Sequence, residues 1–308
     1  MTQLNLRGVI PAHLSPFRED YTLDEEQLRQ HIRNLADIQG VNGIISNGHA
    51  GEVTALSKAE YVRVVEVAKE EAGRDFPIIS GIVCDTARGA VQRGKLAKAA
   101  GADALLIFPP NLFGSGGTLT ADMPYRFFSD IAEGLDLPLI IFQFSVESHM
   151  AYTTQTLVKL VEEIPSVIAI KEGSNNLQRY EENLRALRAC QRPVSILCTN
   201  NTKLLPSLAV GGDGIISGSG SVISQLLVQL WTAVEDNDLF RARQVYARMF
   251  PLMQVFYAPP LLDMHSRMKV ALQLLGQQKY AVPRPPLLPI APQERESIRR
   301  ALAEAGLL

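Results

Sequence analysis

Cysteine is scarce in this chain. Cys84, Cys190 and Cys198 are the three among 308 residues, odd in number and without metal-site spacing. A disulfide framework and a cysteine-built metal site are both excluded, and reduced thiols in a cytoplasmic compartment are expected. Long apolar runs are also missing. No stretch approaches the ~18 residues of a membrane span. The opening MTQLNLRGVIPAHLSPF has no continuous apolar segment behind a basic cap, so no secretory leader is expected. Neither sign of charge dominates: 30 basic residues face 32 acidic ones, for a net charge of -2. Without a basic block, nucleic acid and anionic lipid are not expected partners. Neither G-x-x-x-x-G-K-[ST] nor a strand-linked G-x-G-x-x-G occurs, which argues against a nucleotide-phosphate cradle. Low-complexity tracts are absent as well.

What is present is alternation. Short apolar runs recur as VIPAHL (9–14), VNGIIS (41–46), PIISGIV (77–83), ADALLIF (102–108), PLIIF (138–142), SVIAI (166–170), VSILC (194–198) and GIIS (214–217). They lack clean period-2 patterning, as strands buried on both faces of a parallel sheet do. Helical segments lie between them. Leu28, Ile32, Leu35 and Ile38 share one helix face, and Val62, Val65 and Ala68 another. Thr22 with Glu25, and Ser57 with Glu60, read as capping boxes. Further helices fit 86–100, 122–133, 154–164, 175–189, 201–210 and 221–235. Strand–helix units repeated in this way predict an α/β fold, a (β/α)8 TIM barrel over 1–236, with an open doubly wound sheet as the rival. Residues 237–308 hold no strand. Segments 238–256, 265–277 and 292–305, with the proline-rich VPRPPLLPIAP between the last two, read as C-terminal helices packed on the barrel.

In such a barrel, chemistry sits where strands end. The positions so selected are Leu14 to Pro16, Asn47 to Glu52, Cys84 to Thr86, Pro109 to Gly117, Gln143 to His149, Lys171 to Ser174, Thr199 to Thr202 and Ser217 to Ser221. Lys171 ends the apolar strand VIAIK. A free lysine has a pKa of about 10.4 and is almost wholly protonated at neutral pH. Burial lowers that value, because the ammonium loses its water. A lysine so placed can condense with a ketone, and the iminium withdraws electrons from the adjacent carbon. A snorkelling or salt-bridged lysine is the plainer reading of the strand alone. In SNGHAGEVTALS (46–57), Gly48 and Gly51 bracket His49 and Ala50 directly after a strand. Backbone N–H groups in such a turn suit a carboxylate; a simple tight loop is the alternative.

Taken together, GVIPAHLSPF, GHAGE (48–52), the prolines at 109–110, IAIKEGS (168–174), GGDGIIS (211–217) and the K-x-A-L beginning at Lys269 resemble the dihydrodipicolinate synthase/N-acetylneuraminate lyase family over nearly the whole chain. The resemblance implies a barrel with C-terminal helices, a homotetramer or homodimer, and action on pyruvate or larger 2-oxo acids with no metal and no cofactor. It makes Lys171 the Schiff-base lysine. It places Gly48, Ala50, Gly51, Phe142, Gln143 and Ile216 at the substrate.

The chain also departs from the family pattern. Phe142 stands where the family carries a proton-relaying tyrosine, and His49 and Ala50 stand where it carries paired threonines. Glu147 falls at the position of the arginine that holds a second carboxylate in dihydrodipicolinate synthases, so that activity is not expected. His49 becomes the acid/base candidate, since histidine titrates near ~6.5; shaping the turn is its alternative role. Gln143 is expected to orient a substrate hydroxyl or water, and Glu52 to anchor its loop. His13 and His149 are weaker candidates at strand ends. The expected function is a Schiff-base lyase, aldolase or dehydratase, acting on a 2-oxo acid. A non-enzymatic oxo-acid binder on the same scaffold is the alternative.

Overall fold

The computed structural model describes residues 4–199 and 201–308. The first three residues of the segment read for a leader, and Asn200 within the 199–202 strand end, lie outside the described residues. Eight strands form one sheet: β1 (Gly8–Pro11), β2 (Ile44–Ser46), β3 (Ile78–Ile82), β4 (Ala104–Ile107), β5 (Leu139–Gln143), β6 (Val167–Glu172), β7 (Ser195–Cys198) and β8 (Gly214–Ser217). Every pair is parallel, in the order β1-β8-β7-β6-β5-β4-β3-β2. Parallel bridges from Val9 to Val41 and from Ala12 to Ile45 join the two ends into a ring. The open-sheet alternative is therefore set aside.

Helices return the chain between strands: α1 (Glu25–Ala36), α2 (Lys58–Ala72), α3 (Ala87–Ala99), α4 (Asp122–Gly134), α5 (Thr154–Glu163), α6 (Leu177–Arg188), α7 (Leu204–Ala209) and α8 (Gly220–Glu235). Their starts are set by local chemistry. Thr86, Thr153 and Asn176 accept from the first-turn amides of α3, α5 and α6, and Ser57 with Glu60 forms the expected capping box on α2. The expected box at Thr22 and Glu25 does not form. Asp24 caps α1 through the amide of Gln27, while the Thr22 hydroxyl bonds Asp20. A carboxylate directly at the helix start outcompetes a hydroxyl two residues earlier.

Strand side chains are buried on both faces, which is why their pattern is a continuous run rather than an alternation. Ile45, Ile79, Leu106, Ile141, Ile170, Leu197 and Ile216 are all fully buried. Each contributes about 1.5–3 kcal/mol through removal from water. The C-terminal helices α9 (Leu239–Phe256), α10 (Met264–Leu274) and α11 (Pro292–Glu304) follow, with α9 against α8 and α11 against both α9 and α10. Among the described residues, no helix is long and apolar enough to cross a membrane.

One buried ion pair ties these helices to the barrel mouth. Lys269 on α10 pairs with Glu52, which ends the turn after β2; the two side chains are 0% and 4% exposed. Lys269 also donates to the Val282 carbonyl at 2.9 Å, and the Arg284 amide donates to Glu52 at 3.1 Å. Glu52 is thus the loop anchor anticipated from the sequence. Burial lowers the Lys269 pKa to about 8, with Glu52 opposing the shift. The group stays charged at neutral pH. Lys269→Met strands a buried carboxylate and should destabilise the fold by about 3–5 kcal/mol in urea unfolding. The double variant Lys269→Met/Glu52→Gln should recover much of that loss.

Candidate active site

Strand β6 delivers Lys171 to the end of the barrel where the βα loops gather. In register beside it on β5 is Phe142. The Lys171 amine lies 3.9 Å from the Phe142 ring centroid, and the residue is 7% exposed. An aromatic face stabilises a cation only weakly and cannot replace a hydration shell. Burial accordingly lowers the Lys171 pKa from 10.5 to about 7. Roughly half the amines are then uncharged at neutral pH. The chain after Lys171 is held close. A side chain at Gly173 would meet the Gln143 carbonyl at 2.9 Å and the Thr199 methyl at 2.8 Å, so only glycine fits there.

Lys171 opens into a cavity of about 550 Å³. The turn after β2 supplies Gly48, His49 and Ala50 to its lining, and the β5 end supplies Phe142, Phe144 and Ser145. The N–H groups of Gly48, His49, Ala50 and Gly51 meet no acceptor among the described residues, although Gly48, Ala50 and Gly51 are buried. Buried amides without acceptors are rare, and a concave run of them is an anion site. The turn keeps this shape because the Glu52 amide donates back to the His49 carbonyl at 2.9 Å and Glu52 sits in the left-handed region, φ 50°.

His49 stands in an aromatic wall. Its ring centroid is 4.8 Å from Phe108, 5.7 Å from Phe144 and 6.1 Å from Phe142. The residue is exposed at the cavity mouth while its ring packs among these aromatics. Desolvation first, and the Lys171 charge second, lower its pKa to about 4. His49 is therefore neutral at physiological pH and able to accept a proton. Its basicity is well below that of a free imidazole.

Three expected site residues do not line the cavity. Gln143 is buried with its amide fully used: Nε2 donates to the Tyr152 carbonyl at 3.0 Å and Oε1 accepts from the Tyr152 amide at 2.9 Å. It braces the β5–α5 connection and is not free to orient substrate. Ile216 is buried among the strands, and Gly51 lies behind the turn with its carbonyl accepting from Ser15 at 2.8 Å. His13 is likewise occupied, its ring nitrogens against the Leu14 carbonyl at 2.9 Å and Ser46 at 3.0 Å. His149 and Glu147 are exposed outside the cavity.

Sequence reasoning missed the contribution of the C-terminal helices. Tyr257, Leu261, Met264 and His265 all line the cavity. Burial pushes the Tyr257 hydroxyl up to about 12, with Ser219 and Ser217 opposing. The only sequence signal was indirect: Lys269, matched to a motif, lies one helical turn beyond His265.

Together the closed ring and the desolvated lysine at its mouth define a Schiff-base lyase barrel. Comparison with known proteins agrees. The model of the dihydrodipicolinate synthetase family matches residues 5–305, and the chain belongs to that family. It is 31% identical over 306 residues to 4-hydroxy-tetrahydrodipicolinate synthase of Methanopyrus kandleri, covering 98% of this chain and 97% of the relative. The crystal structure of dihydrodipicolinate synthase from Aquifex aeolicus superposes with TM-score 0.87 at 27% identity, over 98% of this chain and 99% of that one. The dihydrodipicolinate synthase of Acinetobacter baumannii, solved complexed with pyruvate, has TM-score 0.87 at 25% identity, over 99% and 100% of the two chains.

The low pKa of Lys171 also has a signed effect on stability. Its folded-state value of about 7 lies below the 10.5 of an unfolded lysine. The unfolded chain therefore holds the proton more tightly, and the penalty is fully present below pH 7 and fades as pH rises toward 10.5. Lys171→Met should stabilise the fold by up to about 5 kcal/mol at pH 6 and by much less at pH 10, measured by denaturant unfolding.

Proposed function

We propose that the protein is a Schiff-base lyase for a 2-oxo acid whose remaining chain is uncharged. The observation that carries this reading is a lysine amine with a pKa of about 7, set in one cavity with a turn of unpaired amides. The substrate carboxylate rests on the N–H groups of Gly48, His49 and Ala50. The uncharged Lys171 amine attacks the C2 carbonyl, and with one proton taken up from solvent the carbonyl oxygen leaves as water, forming a protonated iminium. That iminium is the electron sink for either outcome. In aldol cleavage, the C4 hydroxyl loses its proton and the C3–C4 bond breaks, releasing an aldehyde and leaving an enamine. In dehydration, C3 loses a proton and the C4 hydroxyl departs as water. Neutral His49 is the base for the proton step, directly or through water, where Phe142 has none to exchange.

Among the described residues, Lys171 is the one charged side chain lining the cavity at neutral pH. Phe142, Phe144, Met150, Leu261 and Met264 make much of the remaining wall apolar. A second carboxylate has no counter-ion there and would pay its full desolvation penalty. Condensation to 4-hydroxy-tetrahydrodipicolinate, which the relatives' names record, is for that reason not the proposed reaction. Pyruvate aldol adducts and dehydratable 3-deoxy-2-oxo acids fit better. Leu112, Leu119 and Met123, exposed after β4, suit burial against a second copy of the chain, in a homodimer or homotetramer.

Incubation with pyruvate and borohydride should add a reduced pyruvyl group to Lys171, detected by peptide mass. The trapping rate should fall as pH drops below about 7, because protonation removes the nucleophile. A panel of 2-oxo acids read for pyruvate release then separates aldolase from dehydratase. An adduct with no turnover of any member points to the binder; no adduct with any oxo acid sinks both.

A further inference from the structure

His265, like Tyr257, is a buried titratable group in this cavity that the proposed chemistry leaves unused. It sits in the first turn of α10, is 7% exposed and lines the cavity. Neither ring nitrogen has a hydrogen-bond partner among the described residues. The ring therefore keeps a donor or acceptor available to whatever occupies the cavity. Its place is informative. A Cβ built on Gly218, in the β8–α8 loop, would lie 3.6 Å from the Ala50 methyl and 3.8 Å from His265 Nε2. His265 Nε2 and the Ala50 methyl therefore border the same small space over Gly218, beside the turn after β2.

The groups around His265 tell what it lacks. The His49 ring is 6.4 Å away, and the cations near it are Lys171 and Lys269, the latter paired with Glu52. Among the described residues, no acidic side chain lines the cavity. Burial, then His49, Lys269 and Lys171, hold the imidazole well below its usual pKa. A site ringed by donors and cations, with no anion of its own, is completed by an anion.

We propose that His265, carried by the C-terminal helices, is the side-chain partner of the substrate's carboxylate. Its Nε2–H hydrogen-bonds the carboxylate from the side opposite the 48–50 amides, and orients the C2 carbonyl toward Lys171. His265 is thus a positioning residue for Schiff-base formation. The proposal rests on the Schiff-base reading but concerns a different part of the substrate.

The test compares pyruvate with pyruvamide, the same ketone without the negative charge. In borohydride trapping on the full chain, the wild type should favour pyruvate. His265→Ala should lower the pyruvate-to-pyruvamide rate ratio at least tenfold, and His265→Gln, which keeps a donor near that position, should recover part of it. An unchanged ratio in a folded His265→Ala protein overturns the proposal. A second measurement is independent of covalent chemistry. In Lys171→Ala, pyruvate should shift the His265 imidazole nitrogen resonances toward the protonated form, and pyruvamide should not. If the wild type traps neither ketone but this shift appears, the Schiff-base reading fails and His265 stands. If trapping succeeds and the shift is absent, His265 fails alone.

Discussion

Everything at the mouth of this barrel depends on the buried ion pair between Glu52 and Lys269. Two charges removed from water repel the fold unless each meets the other and its remaining hydrogen bonds are satisfied. Here they are: Lys269 also reaches the Val282 carbonyl and lies 4.2 Å from the Phe17 ring centroid, while Glu52 also accepts from the Arg284 amide. The consequence is geometric. Glu52 closes the turn that carries the unpaired amides, and Lys269 belongs to the helix that carries His265. One interaction therefore fixes both halves of the carboxylate pocket relative to each other.

Lys171, the proposed nucleophile, works against stability. Its amine lies over the Phe142 ring, and among the described residues no carboxylate forms an ion pair with it. The ring of strands around it is apolar enough to bear that penalty, since the surrounding isoleucines and leucines are fully buried. The same desolvation acts on His49 and His265 and lowers the pKa of both. The site is built as a deficit of negative charge, which under the proposed function an oxo acid's carboxylate makes good.

The barrel was readable because burial on both strand faces leaves an unmistakable run of apolar residues, broken by capped helices. Lys171 and the Gly48–Gly51 turn were readable because strand ends are where barrels keep their chemistry. Gln143 shows the limit of that rule. It occupies a strand end, but its amide is consumed by the Tyr152 backbone, a local contact that spacing does not disclose. Thr22 was misread as a cap for a similar reason, since Asp24 stood nearer the helix start.

The order of residues alone determined the fold class, and it placed Lys171 and the Gly48–Gly51 turn at strand ends, because each is set by short-range patterning within one strand–loop unit. Tertiary structure decided the rest. That Lys171 loses its water beneath Phe142 depends on packing between neighbouring strands. That Tyr257 and His265 enter the cavity depends on helices more than two hundred positions beyond the β2 turn folding back over the open end. No periodicity within a segment records where that segment will be buried, so these residues became visible only when the chain was closed upon itself.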